Sequence, residues 1–155
     1  MYAQASVGID LFELGEPLDL FKEIQAAAAE YERAPSSRLL LFLLFALNHL
    51  REWIANAGFE VLESKRQSRG LEPNELLFYE LWTMEEFRLI NSLCNRSKHH
   101  VTRGGSKTSV TQGMTCNSPC TDSLGQTYYR IDGVDSRAVF APVIRKYWEW
   151  FHPAG

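Results

Sequence analysis

Residues 36–58 read SSRLLLFLLFALNHLREWIANAG, from Ser36 to Gly58. Every residue from Leu39 to Leu47 is apolar. That run is too short for a bilayer, which needs about 20 apolar residues, so it reads as a buried helix. Ser36 or Ser37 supplies the N-cap, Gly58 the stop, and the helix is expected to reach about Ala57. Because it is apolar on every side, it is expected to be covered all round and to be the central helix. Leu43, Leu47, Leu50 and Ile54 share one face at helical spacing. Leu41, Phe45, Asn48 and Glu52 lie opposite, with His49 beside them, so the second face turns polar halfway along.

Working outward, Pro17 suits the first turn of a helix running to about Ala34. Its stripe is Leu18, Phe21, Ile24 and Ala28, with Glu23, Glu30 and Glu32 toward water. Residues ahead of Pro17 show no period. Phe59 to Gly70 begin amphipathic and end as a charged loop, and Pro73 opens a further helical segment. Thr83-Met84-Glu85-Glu86 has the form of a capping box. It predicts a break near Thr83 and a fresh helix from Met84 to about His100, with Phe87, Ile90 and Cys94 as its stripe. Beyond Val101 the texture changes. Lys107–Met114 and Gly125–Asp132 are rich in Thr, Val and Tyr and predict a hairpin around a Cys116–Asp122 loop. Asp135 or Ser136 caps a last helix carrying Phe140, Ile144, Tyr147, Trp148 and Phe151, whose start Pro142 shifts by up to a turn. The expectation is one mainly α domain over residues 1–155. It is a bundle of four to five helices with a β-hairpin insertion at 107–132 before the C-terminal helix.

Composition narrows the class. The 155 residues carry a net charge of −3, with ordinary hydrophobic content, so nothing global selects nucleic acid or membrane. The charge is uneven: acids exceed bases up to Leu93, and bases exceed acids from Cys94 onward. The N-terminus lacks a basic start followed by an apolar run, so no secretory leader is expected. Three cysteines are an odd number and suit a reducing compartment. A cytoplasmic location is expected.

Two polar stretches sit on flanks of otherwise apolar helices: Asn48-His49-Leu50-Arg51-Glu52-Trp53, and Asn91 through His100, NSLCNRSKHH. A buried unpaired polar group costs roughly 1–3 kcal/mol. The stretches are therefore expected to meet each other, water or a cleft. Glu52 is placed to orient a histidine or hold Lys98. Asn95 and His99, one turn apart, address the same small group. A hydrogen-bonded network that only fixes helix register is the competing reading. Arg96, Lys98, His99, His100, Arg103 and Lys107, with Gly104-Gly105, form a candidate phosphate rim. Equally, they are cations complementing a helix C-terminus. Cys116 and Cys120 with Cys94 or a histidine make a weak zinc candidate, and free loop cysteines are the simpler reading. Trp148 and Trp150 point to different faces, which leaves one for a subunit contact. Gly-rich phosphate loops, Gly-x-Ser-x-Gly and His-Glu-x-x-His are absent.

The central helix pair, with the Asn95-Arg96-Ser97-Lys98-His99 stretch near the end of one helix, resembles the HEPN superfamily over about Ser36 to Val101. That family comprises small helical domains, among them metal-independent ribonucleases, toxins and non-catalytic nucleotide or RNA binders. Its active motif has an Arg, usually followed by a polar residue, with four to six residues before a His. Here two residues separate Arg96 from His99 and three separate it from His100, and the polar residue precedes the Arg. The resemblance implies RNA as partner, a homodimer, and no cofactor or metal. It casts His99 as general acid or base, Arg96 or Lys98 as the cation on the phosphate, and Asn95 as the positioning group. Asn48, His49, Glu52 and Asn91 form the supporting polar patch. Two alternatives stand beside it. One is an interaction or dimerisation module with a protein partner. The other is a metal-dependent hydrolase using His49, Glu52 and His99.

Overall fold

The computed structural model describes residues 11–98 and 105–154. Within them the chain forms six helices and a small antiparallel sheet: α1 Pro17–Arg33, α2 Ser37–Ala55, α3 Phe59–Ser68, α4 Pro73–Thr83, α5 Glu85–Ser97, β1 Thr108–Gln112, β2 Thr127–Ile131, β3 Val134–Asp135 and α6 Ser136–Phe151. Strand order is β1-β2-β3, with Val110 opposite Tyr129 and Thr108 opposite Ile131. The mainly helical reading with a small sheet ahead of the last helix matches this architecture. No helix among the described residues is long and apolar enough to cross a membrane.

The helix ends follow local chemistry. Ser36 Oγ accepts from the Leu39 amide at 3.3 Å and opens α2. Asn56, at φ 51°, ends α2 in the left-handed conformation, two residues before the expected glycine. Two acidic capping boxes open helices, Glu16 with Asp19 on α1 and Glu72 with Glu75 on α4, each with proline in the first turn. The Thr83–Glu86 box does not form. Thr83 is the last residue of α4, and its hydroxyl donates back to the Glu80 carbonyl at 2.7 Å. The break falls at Met84, which ends α4 and begins α5 without a side-chain cap. The Arg88 guanidinium takes up the orphan carbonyls of Trp82 and Thr83.

Residues Phe59–Ser68 form one helix, which carries the amphipathic start on through the charged residues expected to be a loop. Leu62 is fully buried and packs with Ala55 and Phe78. Lys65 Nζ donates to Glu75 at 2.6 Å, and Tyr79 donates to Glu63 at 3.0 Å. One buried leucine and two tethers to α4 are enough to fix a short helix whose own sequence is polar.

α2 packs against α1, α4, α5 and α6, so it is central. Leu43, Leu47 and Leu50 are fully buried at its heart. It is not covered all round, however: Leu41, Phe42 and Phe45 remain exposed. That side is only partly covered among the described residues, and the second face is half solvent-facing before it turns polar. α6 runs unbroken through Pro142 and starts at Ser136, capped by Asp135, whose Oδ1 accepts from the Arg137 amide at 3.0 Å. Tyr147 anchors α6 to α2 by donating to the Leu47 carbonyl at 2.8 Å.

A buried ionic cluster holds the hairpin loop to α6. Arg137 donates through both terminal nitrogens to Asp122, at 2.9 and 2.8 Å, and to Asp135 at 2.7 Å. Tyr128 adds a bond to Asp122 at 2.9 Å. The Arg137 hydrogen bonds hold the Asp122 carboxyl below the usual carboxylate range.

Candidate functional site

The two polar stretches do meet, but not as a single centre. Asn48 is buried between α2 and α5, and its amide nitrogen donates to Cys94 Sγ at 3.6 Å. Its Oδ1 has no partner. Burial pushes the Cys94 thiol up; Lys98 and the Asn48 bond oppose that shift, and Glu52 adds to it. Asn48 thus meets Cys94 rather than Asn95. Glu52 is half-buried and makes no hydrogen bond to His49 or Lys98. His49 turns onto its own helix, with Nδ1 2.7 Å from the Phe45 carbonyl. The local carbonyl outcompetes Glu52 because it lies one turn back on the same face.

At the end of α5 the side chains spread apart. Asn95 and Lys98 are exposed. Arg96 is half-buried and reaches forward to the Ser106 carbonyl at 2.5 Å. Gly105, at φ +105°, makes that approach possible, since a Cβ there would lie 2.8 Å from the Arg96 guanidinium. Arg96 is therefore spent on holding the chain that enters β1. Lys107 is exposed, and its backbone pairs with Asp132 on both sides. His99, His100 and Arg103 lie outside the described residues. So does one member of the metal triad, and no cluster of three metal-ligating side chains is found among the described residues. Cys116 and Cys120 are free and exposed, and Cys94 is free and buried.

Two cavities border these stretches. One is a cleft of about 700 Å³ between α2, the end of α5 and the β1–β2 hairpin. Its walls are Leu40, Leu41, Leu44 and Leu93 on the helical side and Val110, Tyr129 and Ile131 on the sheet, with Arg96 and Arg130 at its margin. Arg130 is already engaged, donating to Thr111 Oγ1 at 3.2 Å and to the Gly133 carbonyl at 3.3 Å.

The other cavity, about 340 Å³, lies among α2, α3, α4 and α5, where Arg51 and Asn91 share its lining with Phe59, Phe78, Tyr79 and Trp82. Arg51 is 8% exposed, and its guanidinium carbon sits 3.9 Å from the Phe78 ring centre, 4.7 Å from Phe87 and 5.4 Å from Trp82. Its burial pulls the guanidinium pKa below the ordinary value.

No protein family, curated protein or solved structure matches this chain.

Sequence reasoning gave Arg51 no role, although the signal was present. Arg51 falls at helical spacing between Leu47 and Ile54 on the face committed to the core. A cation on such a face is the anomaly to follow.

Proposed function

We propose that this chain is a binding domain, not an enzyme, and that a second copy of itself is the partner at the face formed by α2 and the hairpin. The observation that carries this reading is the outer edge of β1, which no other strand among the described residues pairs. All five of its residues, Thr-Ser-Val-Thr-Gln, are exposed and none is charged. Edge strands are ordinarily blunted by lysine, proline or a bulge; this one has none of these.

The register supports a particular pairing. Gly113 donates to the Gln126 carbonyl and Asp132 donates to the Lys107 carbonyl. Odd-numbered residues of β1 therefore direct their backbone groups toward β2. Thr108, Val110 and Gln112 direct theirs outward. An antiparallel pairing about a two-fold axis at Val110 sets Val110 against its own copy and Thr108 against Gln112. Each of those pairs exchanges both of its outward hydrogen bonds, and no charges are opposed. Leu41 lines the cleft, and the exposed Phe42 and Phe45, next to it and one turn on along α2, add apolar area available to the same contact. A nucleic acid is less well served here, because the described lining offers a single ring, Tyr129, for stacking and both bordering arginines are already engaged.

One observation favours an RNA-related second reading. Lys98 and Lys107 are exposed and free of ion pairs among the described residues, and His99, His100 and Arg103 lie between them in sequence. In that reading His99→Ala lowers RNA binding or cleavage at unchanged melting temperature. Wild-type protein that retains no RNA at low salt removes it.

The dimer is tested with Val110→Pro, which deletes an outward amide without touching the β1–β2 ladder. Sedimentation equilibrium is expected to give a dimer for the wild type and a monomer for the variant.

A further inference from the structure

The cavity at Arg51 is independent of the dimer face. Within the bundle Arg51 is more than nine-tenths buried, yet its Nε has no hydrogen-bond partner and none of the ion pairs among the described residues includes it. Cations are almost never buried this fully unless paired. Phe78, Phe87 and Trp82 enclose the guanidinium. Aromatic faces attract a guanidinium but accept none of its in-plane N–H donors. The one cation that the described lining residues supply is thus held with its Nε unpartnered at the wall of an open space.

We propose that this cavity binds a small aromatic carboxylate, with the carboxylate on Arg51 and the ring against the aromatic walls. A guanidinium presents a planar fork that matches a carboxylate. Asn91, half-buried in the same lining, offers an amide to the second oxygen or to a ring substituent. Phe59 and Trp82 are exposed aromatic side chains of the lining and supply flat apolar area to the rest of the molecule. Tyr79 contributes its ring only, since its hydroxyl donates to Glu63.

Charge selects a monoanion. Among the described residues Arg51 is the only cation of the lining, and Glu52 already acts on it from a distance. A phosphate dianion would carry a surplus negative charge into a largely apolar space, which is costly. At about 340 Å³ the cavity stands at the small end of ligand sites and suits one or two fused rings.

The test uses 1-naphthoate, neutral 1-naphthamide and dianionic 1-naphthyl phosphate, titrated into the intact protein by calorimetry at pH 8. Naphthoate is expected to bind roughly ten- to hundredfold more tightly than either analogue, the range a charge-assisted hydrogen bond supplies. Arg51→Met is expected to abolish that preference. Asn91→Leu, at a half-buried position, is expected to weaken naphthoate binding several-fold and serves if the Arg51 variant fails to fold. Equal binding of acid and amide, undiminished binding by both variants, or no naphthoate binding at millimolar concentration overturns the proposal. None of these outcomes depends on whether the protein is a dimer.

Discussion

Replacing Arg51 by methionine should make the ligand-free protein more stable. Arg51 is 8% exposed with an unpartnered Nε. An unsatisfied buried donor costs about 1–3 kcal/mol, and more when it belongs to a charged group. Removing an ion from water costs several kcal/mol in real proteins. The ring contacts oppose this, being worth about 2 kcal/mol when desolvated. Methionine keeps the apolar stem and places sulfur among the same rings, which recovers part of that attraction. The difference favours the variant by about 1–2 kcal/mol, or about 2–8 °C in melting temperature for a chain of this length. Urea unfolding should show a higher midpoint at unchanged slope. An unfolding free energy lowered by more than about 1 kcal/mol would refute the reasoning, because the rings would then outweigh desolvation and Arg51 would be a packing element. Stability gained together with lost ligand binding is the trade-off expected of a residue kept for function.

Two further predictions concern the ionic clusters. Arg137→Met leaves Asp122 buried with Tyr128 as its remaining side-chain donor and should cost about 3–5 kcal/mol in urea unfolding at neutral pH; a loss below about 1 kcal/mol would show that the cluster does not fasten the hairpin loop. Glu75 is held below the usual carboxylate range by its hydrogen bond from Lys65, and Asp122 by Arg137. For such depressed groups the stabilisation is complete above the unfolded value of about 4 and is lost as pH falls through the lower folded value. Melting temperature should therefore drop on acidification below about pH 4, and the gap between wild type and Glu75→Gln should close there; a gap constant with pH contradicts the assignment.

Much of the fold was legible because helix periodicity and caps are local. Ser36, Pro17, Pro73 and Asp135 mark their helices by side-chain chemistry that acts within a turn. The misreadings arose where a local signal competes with a tertiary one. Leu62 and Lys65 make Phe59–Ser68 a helix through α4, which a charge pattern cannot reveal. Thr83 had a carbonyl behind it as well as an amide ahead, and it bonded backward. Leu39–Leu47 looked buried all round because composition cannot tell a core from an uncovered face. The polar stretches touch through the Asn48–Cys94 bond, and Arg51 and Asn91 line one cavity, but their side-chain directions depend on rotamers and neighbours. His49 and Arg96 both turned to backbone carbonyls.

The most direct measurement is the molar mass of the wild type and Val110→Pro by sedimentation equilibrium across the micromolar range. The dimeric reading predicts twice the chain mass for the wild type and a single chain mass for the variant, with matching circular dichroism. A monomeric wild type, or a variant of equal mass to it, contradicts self-association through β1.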